Sequence, residues 1–376
     1  MNRQLHIVCL DVPWPADYGG AIDMMNRIMM LKKLGIAIHL HYFSYNERGT
    51  PNELNQFCES IYVYERKTGH KGFSSKLPYI ISSRINEELV TNLNKDNHPI
   101  LLEGLHCTGI LPQLDLQKRK VVVRMHNEES IYYKELARSE SSIWKKLFYL
   151  YESKLIKKYN KQLPGQCVYV CVSQKDMATL VNDYHLPQVK FLSIFPAWQD
   201  VSGEEGMGSL CLYHGNLSVP ENEEAAIWLL QKVFSKIKKP FVIAGKNPSK
   251  RLSKMIHSQQ HCCLVADPTD GELNDLIRKA HINILPCFNK KITGIRLKLL
   301  HALFEGRHCI VNDPMVKGTG LEPACHVGTT ADAFASIILQ LYHQPFTNEE
   351  IILRKNLLGD TYNNEKNSHQ LIPYLW

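Results

Sequence analysis

Three groups of residues in this chain have types and spacings that could do chemistry. His126 closes the apolar run Val121-Val122-Val123-Arg124-Met125 and precedes Asn127-Glu128-Glu129, which reads as the start of a helix with Asn127 as its cap and the carboxylates matched to the dipole. A neutral imidazole at the edge of a sheet can donate or accept a hydrogen bond to a ligand, and a histidine before a cap can equally be structural. In the second group Gly294 opens a helix, with Arg296 and Lys298 in its first turn. Helix starts favour acidic residues, so two cations there oppose the dipole and are better explained by a bound anion; the plainer alternative is a pair of exposed basic side chains. The third group is Gly19-Gly20, placed after the first strand where a helix begins. Free amides and the positive dipole end at such a turn suit a phosphate or sugar hydroxyls, although Gly-Gly is also an ordinary turn former. Its spacing is not Gly-x-Gly-x-x-Gly, which argues against NAD.

Positioning these groups requires strands that end on a common edge. Short apolar runs predict strands at 5–12, 36–43, 60–64, 100–105, 121–125, 168–173 and 189–195, and again at 209–214, 241–245, 262–266, 282–286 and 309–312. Helical segments fall between them, including 21–34, stopped by Gly35, and a pair spanning 128–161. Strict alternation of strand and helix argues for an α/β chain of doubly wound parallel sheets, each covered on both faces. The pattern breaks into polar, turn-rich residues at 196–208, so the predicted domains are 1–196 and 197–347, followed by a tail at 348–376. That tail begins helical and ends Leu371-Ile372-Pro373-Tyr374-Leu375-Trp376, too apolar to dangle in water.

With 376 residues the chain is long enough for two sizeable cores, and 44% of it is apolar. No apolar run approaches the roughly 20 residues that span a bilayer. The first residues lead into a strand without a signal-peptide pattern, which points to a cytoplasmic protein. The eleven cysteines show neither Cys-x-x-Cys pairs nor metal-ligand spacing and read as reduced, mostly buried thiols. The net charge of +7 sits almost wholly in the first half, where 25 Lys and Arg face 19 Asp and Glu over residues 1–196. Much of the excess lies in 141–163: Lys145, Lys146, Lys154, Lys157, Lys158 and Lys161 face only Glu152, while Trp144, Leu147, Phe148, Tyr151 and Leu155 recur at helical spacing. Two readings follow, a solvated lysine face over a core-facing stripe or a helix that docks on an anionic membrane. Nucleic acid is not indicated, since the basicity is modest and no recognition motif is present.

Further segments fall in a telling order: Pro15 and Gly19-Gly20; 123–128 with Tyr132-Tyr133; Cys171-Val172-Ser173; Tyr213-His214-Gly215-Asn216 and Pro220-Glu221-Asn222; Ile243-Ala244-Gly245; Ile284-Leu285-Pro286; and 294–306. Through them the chain resembles a retaining glycosyltransferase of the family 4 type with the GT-B fold, closest to bacterial polysaccharide-assembly transferases.

The resemblance implies two Rossmann-like domains facing a central cleft, with the donor nucleotide on the C-terminal half, the acceptor on the N-terminal half and the tail crossing back to the first domain. It implies transfer of a hexose-type sugar from a nucleotide-diphosphate donor to a glycan or lipid-linked acceptor, with retention and without a protein nucleophile, cofactor or metal. His126 then contacts the donor sugar, while Arg296 and Lys298 stabilise the negative charge that grows on the leaving diphosphate. The donor-binding residues are Gly19, Gly20, Gly215, Asn216, Lys246, Gly294, His301 and Glu305. Docking through 141–163 would place the protein on the inner membrane face.

Departures from the family pattern matter too. Many relatives carry an Arg and a Lys where this chain has Asn216 and Asn222, which shifts the task of gripping phosphate to Arg296, Lys298 or Lys246. The paired glutamates that bracket the glycine loop are replaced by Thr293 and His301, with Glu305 one turn further on. A neutral histidine offers one acceptor where a glutamate takes both ribose hydroxyls. These gaps keep three alternatives open: a non-catalytic GT-B subunit that binds glycan or a partner enzyme, a sugar-nucleotide epimerase, and a peripheral membrane scaffold.

Overall fold

The computed structural model describes residues 3–44, 49, 51–140, 142–289, 294 and 296–376; Ser141 and Thr293 lie outside them. The chain divides into two compact units, one of Met1–Ala197 with Thr293–Ile295 and Tyr362–Trp376, the other of Trp198–Ile292 with Arg296–Thr361.

The first unit contains, in order, β1 (Gln4–Cys9), α1 (Gly19–Lys33), β2 (Ala37–Ser44), β3 (Ser60–Glu65), β4 (Ile100–Glu103), β5 (Val121–Met125), α2 (Glu129–Ser139), α3 (Ile143–Asn160), β6 (Val168–Cys171), α4 (Gln174–Asn182) and β7 (Val189–Phe191). Its strands form one parallel sheet in the order β3-β2-β1-β4-β5-β6-β7. The period-2 alternation of a strand splits its apolar residues between two cores. Val8, Leu102, Val123 and Cys171 pack on one face; Ile7, Leu101, Val122 and Val170 pack on the other. Burial on both faces is why these strands read as unbroken apolar runs.

The second unit follows the same plan: β8 (Leu210–His214), α5 (Pro220–Trp228), β9 (Phe241–Gly245), β10 (Cys262–Ala266), α6 (Asp270–Lys279), β11 (Ala280–Leu285), α7 (Leu297–Glu305), β12 (His308–Val311), β13 (His326–Val327) and α8 (Asn348–Thr361). Its sheet is again parallel, ordered β10-β9-β8-β11-β12-β13. The residues of the tail form two helices. Of these α8 belongs to the second unit, whereas α9 (Asn364–Leu375) buries Leu371 and Leu375 in the core beside α1 and β1.

Several local expectations change. Asn127 is not the helix cap: Glu128 is, its carboxylate accepting from the Ser130 and Ile131 amides. A buried Glu128 also takes hydrogen bonds from Asn160 and Tyr184, which fixes it at that position. Gly294 does not open a helix, because α7 begins at Leu297 with Arg296 in an extended conformation at its cap. The first strand ends at Cys9 rather than at residue 12, since the Val12 amide turns to the Asp11 carboxylate instead of the ladder. All eleven cysteines are free, and Cys263 is exposed on the edge strand β10.

Candidate functional site

In open parallel sheets ligands bind beyond the carboxyl ends of the strands, where the strand order reverses. That point lies between β1 and β4 in the first unit and between β8 and β11 in the second.

At the first of these points Glu103 ends β4 and pairs in register with Arg124 of β5. Arg27, one face of α1, clamps Glu103 through two hydrogen bonds of 2.8 and 2.7 Å and reaches Asp23 at 3.0 Å. Arg124 bonds Asp23 at 3.1 Å and the carbonyls of Leu192 and Ser193, while the Phe195 amide donates to the remaining Asp23 oxygen. All four charged side chains are buried. Burial pushes the Asp23 carboxyl up, but Arg124, Arg27 and His126 outweigh it and hold the group well below the usual range. Glu103 is likewise lowered, with burial opposed chiefly by Arg27 and His126.

His126, one residue past β5, has its Nε2 3.1 Å from Glu103 and its Nδ1 3.4 Å from Asp23. Both ring nitrogens therefore face protein carboxylates, which orient the imidazole. Gly19 and Gly20 do begin α1, whose cap residue Tyr18 gives no side-chain hydrogen bond to the first turn. Gly294 belongs to this unit. Its amide donates to buried Asp176 at 2.9 Å, so it is already claimed and does not point at a phosphate. With φ +70 and an added Cβ only 2.6 Å from Asn127 Oδ1, the position accepts glycine alone.

The second point is built differently. Lys298, in the first turn of α7, donates to Asn222 Oδ1 at 3.0 Å and lies 3.4 Å from the Tyr213 hydroxyl, with its ammonium over the Tyr213 ring. Asn222 is itself held by the Asn216 carbonyl at 2.9 Å. Among the described residues no carboxylate lies within salt-bridge distance of Lys298. Burial, reinforced by Arg296, lowers its pKa to about 8. Arg296 has a counter-ion, Glu221 at 2.8 Å, though its buried Nε finds no hydrogen-bond partner among the described residues. Buried Cys287 also approaches Glu221, and burial raises its thiol to about 11.

The loops after β8 and β9 carry Gly215, Asn216 and Lys246. A Cβ on Gly245 would fall 1.9 Å from the Gly215 carbonyl oxygen, so these two backbones touch only because residue 245 is glycine. Asn216 Oδ1 is used by Ser218, and Lys246 is exposed. His301 stacks on Trp198 at 4.4 Å and binds Asn274 through Nε2 at 2.7 Å; burial lowers its pKa to about 4, leaving Nδ1 an acceptor. Glu305, at the far end of α7, is spent on Arg278 and Ser202, both structural contacts.

The residues missed from sequence are Asp23, Arg27, Glu103, Arg124, Asp176, Tyr213 and Glu221. A signal existed for two of them: Glu103 and Arg124 are charges at the ends of otherwise apolar runs, where burial demands a partner.

The helix α3 turns most of its apolar stripe away from the core. Glu152, Ile156 and Asn160 face the core, whereas Ile143, Trp144, Leu147, Phe148 and Tyr151 are exposed, Trp144 at 79%. The apolar stripe thus points outward, flanked by Lys145, Lys146, Lys154, Lys157 and Lys158, which are exposed as well. Tyr151 bonds the Ser75 carbonyl, next to exposed Phe73. No helix among the described residues is long and apolar enough to cross a membrane.

The arrangement of two parallel sheets with reversal points at these crevices has solved counterparts. Sucrose-phosphate synthase of Thermosynechococcus elongatus superposes with a TM-score of 0.69 at 12% identity, covering 99% of this chain and 98% of the other. The fold is GT-B. Two further GT-B structures cover 100% of this chain: Staphylococcus aureus TarM, solved with UDP, at TM-score 0.64 and 10% identity over 100% of that chain, and Anabaena HepE, solved with UDP and glucose, at 0.62 and 11% over 99%. By sequence the chain is 27% identical over 332 residues, 84% of each chain, to an uncharacterized 44.6 kDa protein in the cps region of Klebsiella pneumoniae. No protein-family model matches it.

Proposed function

We propose that this GT-B protein transfers a sugar from a nucleotide-diphosphate donor during assembly of a surface polysaccharide, with retention, in the manner of family 4 enzymes. One observation carries the reading: Lys298 is half-buried at a sheet reversal point, held by Asn222 and Tyr213, with no carboxylate partner among the described residues. An ammonium kept there without a counter-ion is matched by the diphosphate of a leaving group. The start of α7, whose cap residue gives its first turn no side-chain hydrogen bond, extends the same anion preference, with Lys246 exposed on the β9 loop. The donor classes in the HepE and TarM complexes and the cps-region relative point to UDP-sugars and capsule-type glycans.

Asp23 and Glu103 are locked onto Arg27 and Arg124, which makes them poor nucleophiles and favours attack on the face the diphosphate leaves. Lys298 and helix amides supply the charge stabilisation, so the reaction is proposed to run without a metal. His126, oriented by the two carboxylates, borders the donor sugar. The exposed aromatic and lysine face of α3 is proposed to rest on anionic lipid at the inner membrane face, where a lipid-linked acceptor is presented.

Thermal unfolding against UDP, GDP, ADP and CDP, with and without sugars, tests the donor. A ligand at a hundred times its dissociation constant stabilises by about 2.7 kcal/mol; no shift with any of them would sink the proposal. Donor conversion in the absence of acceptor would instead favour the epimerase. For His126→Ala we expect nucleotide binding to persist and turnover to fall about a hundredfold or more; wild-type rates would remove His126 from the site. In vesicle flotation the wild type should bind phosphatidylglycerol-containing vesicles but not neutral ones, and Trp144→Ala/Leu147→Ser should float poorly; equal flotation of both proteins would refute the docking face.

A further inference from the structure

On the opposite edge of the second sheet, three side chains from separate elements converge. His308 opens β12, His326 opens β13 and Glu350 lies in the first turn of α8. One potential ligand atom from each lies within 4.8 Å of the other two.

The hydrogen bonds around them leave a specific conflict. His308 Nε2 is 3.1 Å from the Gln344 carbonyl, which can only accept, so in the neutral ring Nε2 carries the proton and Nδ1 is a bare lone pair. That Nδ1 is buried, has no hydrogen-bond partner among the described residues, and lies 3.2 Å from Glu350 Oε1, a second acceptor, without being aligned to hydrogen-bond it. Two acceptors this close repel each other, and either a proton on the ring or a cation bound by both relieves the conflict. Glu350 is arranged for it as well: its other oxygen, Oε2, is fixed by the Thr347 amide at 2.9 Å, leaving Oε1 to face the histidines. His326 is half-buried, makes no side-chain hydrogen bond among the described residues, and meets His308 edge-on at 5.6 Å.

The neighbouring His281 shows what a satisfied ring looks like here. Its Nδ1 accepts from the Gly208 amide at 3.0 Å and its Nε2 donates to the Leu341 carbonyl at 2.8 Å, so it has nothing left to offer.

We propose that His308 Nδ1, His326 and Glu350 Oε1 bind a zinc ion that clamps α8 to the β12–β13 edge. Two imidazoles and a carboxylate are a zinc ligand set, and bonds of roughly 2.0–2.2 Å in tetrahedral geometry need only a small inward movement of groups already this close. The Gln344 carbonyl on Nε2 and Thr347 on Oε2 are the outer contacts that orient such ligands. The clamp is separate from sugar transfer, because His308 stands at the amino end of its strand and the proposed donor residues gather beyond the carboxyl ends.

The test uses the full chain stripped with chelator and dialysed. Zinc titrated against a chromophoric competitor should bind with one equivalent per chain, and cobalt should give visible bands of a four-coordinate site. The zinc form should melt several degrees above the stripped form, as expected of a ligand that binds only the folded state. His326→Ala and Glu350→Gln, both at partly exposed positions, should each bind zinc at least about tenfold more weakly and lose the melting shift. No stoichiometric zinc in the wild type, or zinc bound equally well by both variants, overturns the proposal. Neither readout involves glycosyl transfer, so failure here leaves that reading standing.

Discussion

The two reversal points of this GT-B chain sit at equivalent places in similar sheets, yet their charges are handled in opposite ways. Beyond β4 and β5 two arginines and two carboxylates are buried as a closed, mutually neutralised network with His126 held against it. Beyond β8 the half-buried Lys298 rests against an amide and a phenol, and among the described residues no carboxylate pairs with it, Glu221 being taken by Arg296. A closed network is already neutralised; a partly desolvated cation without a counter-ion gains when an anion arrives. The first crevice is therefore built to hold a geometry, and the second to receive charge.

The sharpest way to break this contrast is to open the closed network. Asp23→Ala would strand Arg124 and the Phe195 amide and should cost about 3–5 kcal/mol of stability, read from denaturant unfolding, because an unpaired buried charge remains. A small loss would show that the network is not as tightly coupled as its contacts imply.

Lys298→Met should do the reverse. The free protein should melt no lower than wild type, while the nucleotide-induced shift disappears; a retained shift would move the phosphate grip to Lys246 or Arg296.

The pH dependence sharpens the same point. Burial and Arg296 bring Lys298 down to about 8 from 10.5. Between these values the unfolded chain holds more protons, so this group's contribution to stability rises with pH from about 8 to about 10.5 and is flat below. Nucleotide affinity should run the other way, falling as pH climbs through about 8, since the binding form is the ammonium. Titration by calorimetry should show that fall in wild type and not in Lys298→Met.

The smallest expected effect is that of Arg296→Ala. Glu221 already neutralises this guanidinium, so nucleotide affinity should drop only severalfold; complete loss would identify Arg296 as the main phosphate contact.

Much of the scaffold was legible in the sequence. The runs at 121–125, 241–245 and 262–266 match β5, β9 and β10 to the residue; β5 and β9 are uninterrupted apolar stretches because both their faces are buried, while the edge strand β10 keeps an apolar run with Cys263 exposed. The two-residue β13 was not legible, being too short to show a period and opened by a histidine. Site residues divided along similar lines. Local signals placed Gly19 at a helix start and Lys298 in the first turn of α7. Partnerships were invisible: Asp23 and Arg124 stand 101 residues apart, and nothing local announces that Glu221 will neutralise Arg296 or that Asp176 will occupy the Gly294 amide. The cap moved from Asn127 to Glu128 for the same reason, since its support comes from Asn160 and Tyr184 in other elements.

The contact at Gly245 has a consequence for selectivity. With room for not even a methyl group between residue 245 and the Gly215 carbonyl, the loops after β8 and β9 pack backbone against backbone, which leaves that wall little space to rearrange. Under the proposed donor reading, discrimination among nucleotides would then fall to the side chains at the start of α7, so retargeting the protein would begin on that helix and leave the glycine pair untouched.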